Sequence, residues 1–371
     1  MSNSNASPIT VLMNRPILNE LKDYVPGKAI EQVQAEWNLD RVIKLASNEN
    51  PLGPSPKAIA AAQSLLSQVH LYPIGHSPKL TQKMAEFLKV QPENLIFTNG
   101  SDELLWMIAT AYLNPGQETL SCSPTFSEYK FSTQLLDGRY KTVPLANESY
   151  DLKALVTAIT PQTKIIFVCS PNNPTGGYNT HSEVIEFLNA VPPHILVVID
   201  QAYCEYATAS DYPYLIEELN SYSNLILTRT YSKIFGMAGM RVGYGIANSQ
   251  IIKTLMRVKQ PFNVNLIAQK AAEAALDDSE FIAKSRQINS EGMAFLEGVL
   301  LGAGFEFYPS QANFICFRVE KAAEFVRFCE SKGLIIRHLK SFAMDDWVRI
   351  TVGLTEQNMF FAELVKEWKN K

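Results

Sequence analysis

The sequence predicts an α/β protein: a large, doubly wound, mostly parallel sheet followed by a smaller α+β part toward the C-terminal end. Three observations carry this expectation. Between about residues 95 and 247, short apolar runs alternate with helix-like stretches. Several of those runs are β-branched and apolar throughout, which marks strands covered on both faces. The 371 residues also exceed the ~250–300 at which a single core usually stops growing, so more than one core is expected.

In chain order, residues 1 to about 40 are polar and broken by Pro16, Pro26 and Gly27, and they read as an arm. "NENPLGPSP" (48–56) is a loop, and the alanine-rich "PKAIAAAQSLL" (56–66) has helical spacing. The strand candidates follow: "NLIFTNG" (94–100), "ETLSCSP" (118–124), "YKTVPL" (140–145), "KIIFVCS" (164–170), "ILVVID" (195–200), "NLILTRT" (224–230) and "RVGYGIA" (241–247). After about 250 the pattern turns to long helices, "NLIAQKAAEAALDD" and "EFIAKSRQINSEGMAFLEGVL". The strand "NFICFRV" (313–319), the helix "KAAEFVRFCESKG" (321–333) and the strand "WVRITVG" (347–353) complete the small part. The expected division is an N-terminal arm over 1–45 that packs with the small domain, a large α/β domain over 46–260 and a small α+β domain over 261–371.

Composition narrows the function. Lys and Arg total 33 against 37 Asp and Glu, a net charge of -4, so nothing basic supports nucleic-acid binding. The five cysteines form no CxxC pair and sit in apolar runs, as reduced thiols of a cytoplasmic protein would. "MSNSNASPIT" lacks a basic and an apolar region, so no signal peptide is expected there, and no apolar run approaches the ~20 residues of a membrane span. The five histidines (His70, His76, His181, His194, His338) show no metal-ligand spacing, and no metal is expected.

Ligands of open α/β sheets sit at the carboxyl ends of the strands, so the residues ending each run form a candidate site. Asn99, Gly100 and Ser101 open a helix whose free N–H groups suit a phosphate, although Ser101 or Asp102 acting as a plain N-cap is the competing reading. Thr230, Ser232 and Arg241 supply phosphate donors at another strand end. The chain contains no GxxxxGK[ST], and its near-match to GxGxxG from Gly243 reaches Asn248 where glycine is needed, so a dinucleotide site is not expected. Lys233 beside those donors, with Asp200 ending "ILVVID", points to pyridoxal 5'-phosphate. A lysine amine captures its aldehyde, and a carboxylate keeps its ring nitrogen protonated. Tyr203 and Asn173 suit its phenolic oxygen, and Phe126 suits its ring face.

At these residues the chain resembles the fold type I pyridoxal-phosphate enzymes of the class I and II aminotransferases, from about residue 24 to 365. "SPNNPTGG", "DQAY" and "SKIFGMAGMRVGY" carry the resemblance. It implies Lys233 as the Schiff-base lysine, Asp200 as the ring-nitrogen partner, and Asn173 and Tyr203 on the ring hydroxyl. Phe126 would stack on the ring, and Gly100, Ser101, Asp102, Thr230, Ser232 and Arg241 would hold the phosphate. Tyr72 of "LYPIGHSP" would reach the phosphate of a neighbouring subunit, which implies a homodimer, and Arg349 would grip the substrate carboxylate. Within the family, "YVPGKAIEQV", "IKLASNENPLGPSP", "PFNVNLIAQ" and "GLIIRHL" look like the histidinol-phosphate aminotransferase subfamily. That subfamily implies Tyr24 and Arg337 at the phosphate end of the substrate, and Arg337 also suits a second anion by its chemistry. Gln201 departs from the commoner glutamate of "DEAY".

The resemblance implies ping-pong transamination of histidinol phosphate and 2-oxoglutarate to imidazole-acetol phosphate and glutamate, in histidine biosynthesis. The competing readings are an aromatic amino acid aminotransferase, a decarboxylase or lyase on the same fold, and a non-catalytic regulatory relative.

Overall fold

A computed structural model describes residues 14–21 and 27–371. Fourteen strands are present among them. In chain order they are β1 (Ile43–Lys44), β2 (Leu95–Thr98), β3 (Glu118–Ser123), β4 (Arg139–Ala146), β5 (Ser149–Tyr150), β6 (Thr163–Cys169) and β7 (Leu196–Asp200). They continue as β8 (Leu225–Thr230), β9 (Gly243–Ala247), β10 (Phe307–Tyr308), β11 (Phe314–Arg318), β12 (Leu334–Ile335), β13 (Arg337–His338) and β14 (Trp347–Thr351).

Eight strands form the large sheet in the order β2-β9-β8-β7-β6-β3-β4-β5. The inner pairs β4–β3, β3–β6, β6–β7 and β7–β8 are parallel, and β9 runs antiparallel between β8 and β2. Val197, Val198 and Ile199 of β7 are fully buried, as a strand covered by helices on both faces requires. Each such side chain contributes about 1.5–3 kcal/mol of burial. The apolar strand runs therefore form the strands expected of them, and the fold is the doubly wound α/β type. Pro144 sits in β4, next to the sheet edge, where a missing ladder donor is tolerated.

Helix starts follow local chemistry. The Ser55 hydroxyl accepts from the Lys57 and Ala58 N–H groups and Pro56 occupies the first turn, starting helix Pro56–Gln63. Asn265 caps Leu266–Ala275, and Asp278 caps the 24-residue helix Ser279–Gly302. Helix Leu266–Ala275 packs into the same core as the large sheet, which runs on to Leu276.

A second core gathers around Leu296, Ile315, Phe317, Phe325, Val348, Ile350 and Phe361. It covers one face of the four-stranded sheet β10-β11-β14-β13. Alternation then sends Phe314, Cys316, Arg349 and Thr351 to the opposite face, toward the large sheet. The segment after residue 27 ties to this smaller unit. Lys28 pairs with Glu330 at 2.8 Å, β1 pairs in parallel with β12, and Val33 packs with Ala46 and Ile335. Residues 14–19 lie elsewhere, against helix Glu128–Leu135 of the large unit, with Arg15 paired to Asp137.

Candidate active site

The parallel strands end along one edge, so their terminal residues stand in a row. Cys169 lies opposite Asp200, and Asp200 opposite Thr228. Because β9 is antiparallel it begins where β8 and β2 end, placing Gly243 between Thr230 and Thr98. The connections change direction between β3 and β6, the switch point at which such sheets bind ligands.

The anion cup forms where β2, β8 and β9 meet. Asn99, not Ser101 or Asp102, is the N-cap of helix Gly100–Tyr112, and its side chain makes no capping bond. Gly100, Ser101 and Asp102 therefore occupy the first turn, whose N–H groups have no partner within the helix. Gly100 has φ +82°, and a Cβ there would fall 2.3 Å from Arg241 Nη2, so the guanidinium lies directly over the helix start. Arg241 donates to Asp102 Oδ2 at 3.2 Å, the Ala238 carbonyl at 3.2 Å and Ser232 Oγ at 3.5 Å. Thr230 Oγ1 accepts from the Ser232 N–H at 3.0 Å. All six expected phosphate residues thus share one cluster. The loop between Lys233 and Arg241 turns tightly at Gly236, where φ is +67° and a Cβ would meet the Gly53 carbonyl oxygen at 2.0 Å.

Part-buried Lys233 donates to the Ser47 carbonyl at 3.4 Å, and its Nζ stands 5.5 Å from the centre of the Tyr203 ring. Burial, helped by the positive charge of Arg349, lowers its amine from the usual 10.5 to about 8. Buried Tyr203 accepts from Asn48 Nδ2 at 3.0 Å and packs edge-on against Phe314. Asp200, 3% exposed, accepts from the Tyr129 hydroxyl at 2.7 Å and from the Ala202 N–H at 3.2 Å. Burial pushes its carboxyl upward, against the pull of the Tyr129 hydrogen bond.

Buried Arg349 donates to Asn173 Oδ1 and, at 2.9 Å, to the Ala46 carbonyl, with its guanidinium 5.1 Å from the Phe314 ring. An arginine only donates, so Asn173 turns its oxygen toward Arg349 and keeps Nδ2 as the donor for another partner. Arg337 stands opposite Arg349 across the β13–β14 ladder and donates to Ser341 Oγ at 3.3 Å. Phe126, after β3, sets its ring edge-on to Tyr129 at 5.8 Å. Tyr72 is 82% exposed and stacks on Phe262 at 4.8 Å, at the surface of this chain. Tyr24 lies outside the described residues.

Gln201 serves the scaffold. Its Oε1 accepts both Nε and Nη2 of buried Arg229, at 3.1 and 2.8 Å, and its Nε2 donates to the Pro213 carbonyl. The charge of Arg229 is offset by nearby Glu205.

Two site residues were not singled out by sequence reasoning. Asn48 holds Tyr203, and its N–H donates to Thr351 Oγ1 at 2.9 Å, which joins the two units. Tyr129 holds Asp200. The only signal for either was its neighbourhood: Asn48 opens the polar loop "NENPLGPSP", and Tyr129 closes the stretch "SPTFSEY" that leaves β3.

The chain belongs to the class I and II aminotransferases: residues 40–362 match the family "Aminotransferase class I and II". It is 46% identical over 360 residues to the histidinol-phosphate aminotransferase of Moorella thermoacetica, covering 96% of this chain and 93% of that one. It is 42% identical over 343 residues to the histidinol-phosphate aminotransferase of Bacillus subtilis, covering 92% and 95%. The fold matches the crystal structure of histidinol-phosphate aminotransferase from Sinorhizobium meliloti in complex with pyridoxal-5'-phosphate, with a TM-score of 0.87 and 24% identity over 98% of this chain and 99% of that one. It also matches L-threonine-O-3-phosphate decarboxylase from Porphyromonas gingivalis, with a TM-score of 0.78 and 23% identity over 89% and 100%. The fold is thus shared by enzymes of different reaction type.

Proposed function

We propose that this chain is a pyridoxal-phosphate-dependent aminotransferase that exchanges the amino group between histidinol phosphate and 2-oxoglutarate in histidine biosynthesis. The observation that carries it is Lys233, which directly follows Ser232 of the six-residue anion cup, holds its Nζ 5.5 Å from the Tyr203 ring and has its amine lowered to about 8. The relatives at 42–46% identity supply the substrate.

The donor set fits the cofactor. The first turn from Gly100 with Thr230, Ser232 and Arg241 suits its phosphate, Asp200 its ring nitrogen, Asn173 Nδ2 and the Tyr203 hydroxyl its phenolic oxygen, and Phe126 its ring face. Bound there, the cofactor supplies an aldehyde carbon for amines and a ring that withdraws electrons. With the cofactor bound, the Lys233 amine would take the proton from the substrate Cα and deliver it to the cofactor's C4′ carbon, and would run the same transfer backwards in the opposite half-reaction. Its lowered basicity keeps a useful share of the amine neutral near pH 7. Arg349 pairs with the carboxylate of glutamate or 2-oxoglutarate as a bidentate donor. Histidinol phosphate has no carboxylate, so Arg337 and Tyr24 take its phosphate.

The enzyme works as a cytoplasmic homodimer in which Tyr72 reaches the partner's phosphate site. Leu66, Val69, Leu71, Tyr72, Ile74 and Phe262 are all exposed on this chain, an apolar set that suits burial against a second copy. All five cysteines are buried and unpaired, which suits a reducing compartment. The division into an arm (1–45), a large part (46–260) and a small part (261–371) remains our reading, with helix Leu266–Ala275 joining the first core by its packing.

The test is a comparison of acceptors with glutamate as donor. Imidazole-acetol phosphate is expected to exceed phenylpyruvate in kcat/KM by about 10²-fold or more. Equal or better use of phenylpyruvate would sink the substrate assignment.

A further inference from the structure

Buried Asp200 has a second neighbour that the mechanism has not used. Tyr129 sits in the first turn of helix Glu128–Leu135, is fully buried, and donates its hydroxyl to Asp200 Oδ2 at 2.7 Å. Its ring is fixed from two sides: it stacks on Phe167 of β6 at 4.8 Å and 6°, and meets the edge of Phe126 at 5.8 Å and 85°. Ala202 N–H engages Oδ1 at 3.2 Å. The Tyr129 hydroxyl on its rigid ring thus anchors the carboxylate, with the Thr228 side chain beside it, while the same ring abuts the residue set to stack on the cofactor.

We propose that Tyr129 is a positioning residue for this reaction: its hydroxyl anchors Asp200 and sets how firmly Asp200 keeps the cofactor's ring nitrogen protonated. This rests on the cofactor reading above. A donor to one carboxylate oxygen stabilises the charged form and makes the other oxygen a weaker base. The shared proton then stays on the ring nitrogen, which keeps the ring electron-withdrawing. Without the hydroxyl the proton moves toward Asp200, and the amine linked to the cofactor becomes more basic. Burial keeps the Tyr129 phenol protonated far above neutrality, so it remains a donor over the working range.

The experiment titrates the visible absorbance of cofactor-loaded protein between about pH 5 and 10, for wild type, Tyr129→Phe, Asp200→Asn and the double variant. Tyr129→Phe keeps the stacked ring but removes a donor from a buried carboxylate, so the protein should still fold, with a modestly lower melting temperature, while the apparent pKa of the band rises by about half a unit or more. The same change in the Asp200→Asn background should add nothing. Site-specific 3-fluorotyrosine at 129, a stronger donor of the same shape, should move the band the other way, and it serves if Tyr129→Phe does not fold. A band within about 0.2 units of wild type, or equal shifts in both backgrounds, overturns the proposal. A wild type with no visible band at saturating cofactor would instead sink the cofactor reading. The link is then read in cofactor-free protein by ¹³C NMR of the Asp200 carboxyl: Tyr129→Phe must raise its pKa, and no change overturns the proposal.

Discussion

Arg337 and Arg349 stand directly opposite one another across the antiparallel β13–β14 ladder, so two guanidinium groups leave the same face of the small sheet side by side. A pair of this kind suits a site that takes two kinds of anion in turn. Arg349→Lys should lower kcat/KM for glutamate and 2-oxoglutarate by about 10²-fold or more, because an ammonium cannot pair bidentately. Arg337→Gln should spare the glutamate half-reaction and lower kcat/KM for histidinol phosphate by about 10²-fold. Half-reactions followed separately by the cofactor's absorbance check both, and equal losses on both substrates would contradict the division of labour.

Lys233→Ala should abolish the visible absorbance of bound cofactor and reduce turnover to background. In wild-type apoprotein the rate of cofactor capture should rise about tenfold per pH unit and level off above pH ~8, since only the neutral amine attacks. Stopped-flow absorbance from about pH 6 to 9 reads this directly, and a flat profile would count against the lowered amine.

The same amine has a consequence for folding. Its value is about 8 in the folded chain against 10.5 when unfolded, so the unfolded chain holds more protons between those values. Stability of the cofactor-free protein should therefore rise with pH across that window. Below pH ~8 the full cost of burying the charge is felt. Lys233→Met should remove this part of the slope, as urea midpoints of the two proteins at several pH values would show.

Tyr72 predicts complementation between two crippled subunits. Tyr72→Ala and Lys233→Ala protein, each nearly inactive alone, should regain about a quarter of wild-type activity after unfolding and refolding together. Half of randomly paired dimers are mixed, and each mixed dimer has one intact site. No recovery would place Tyr72 outside the partner's site.

Arg229→Met should destabilise the fold by about 3 kcal/mol, because the Gln201 amide oxygen loses its two buried donors and Glu205 loses a nearby positive charge. Urea unfolding measures it. The visible absorbance of the folded fraction should be retained, since Gln201 and Arg229 support the scaffold beside Asp200.

Much of the site was legible because its residues end strands. Asp200, Thr230 and the helix start at Gly100 each follow an apolar run with no partner needed from elsewhere, so reading the run locates the residue. Tyr129 was not legible, since an aromatic one helical turn after a strand looks like core until its hydroxyl is seen against Asp200, 71 positions away. Arg337 was named from the resemblance and its chemistry, but its place opposite Arg349 was not legible, because it lies in a two-residue strand with no periodicity. The N-cap went to Asn99 because the turn out of β2 ends one residue earlier than composition alone can tell.

The amino-acid order by itself determined the strands, the helix starts, the lysine and the hydroxyls beside it, because each depends on neighbours within a few positions. Only the tertiary structure decided that Arg349 meets Asn173, that Arg337 meets Arg349, and that Tyr129 meets Asp200. Those meetings depend on strand register and on how the small sheet's open face lies against the large one. They are fixed by burial of apolar area on the opposite faces, which no local stretch of sequence encodes.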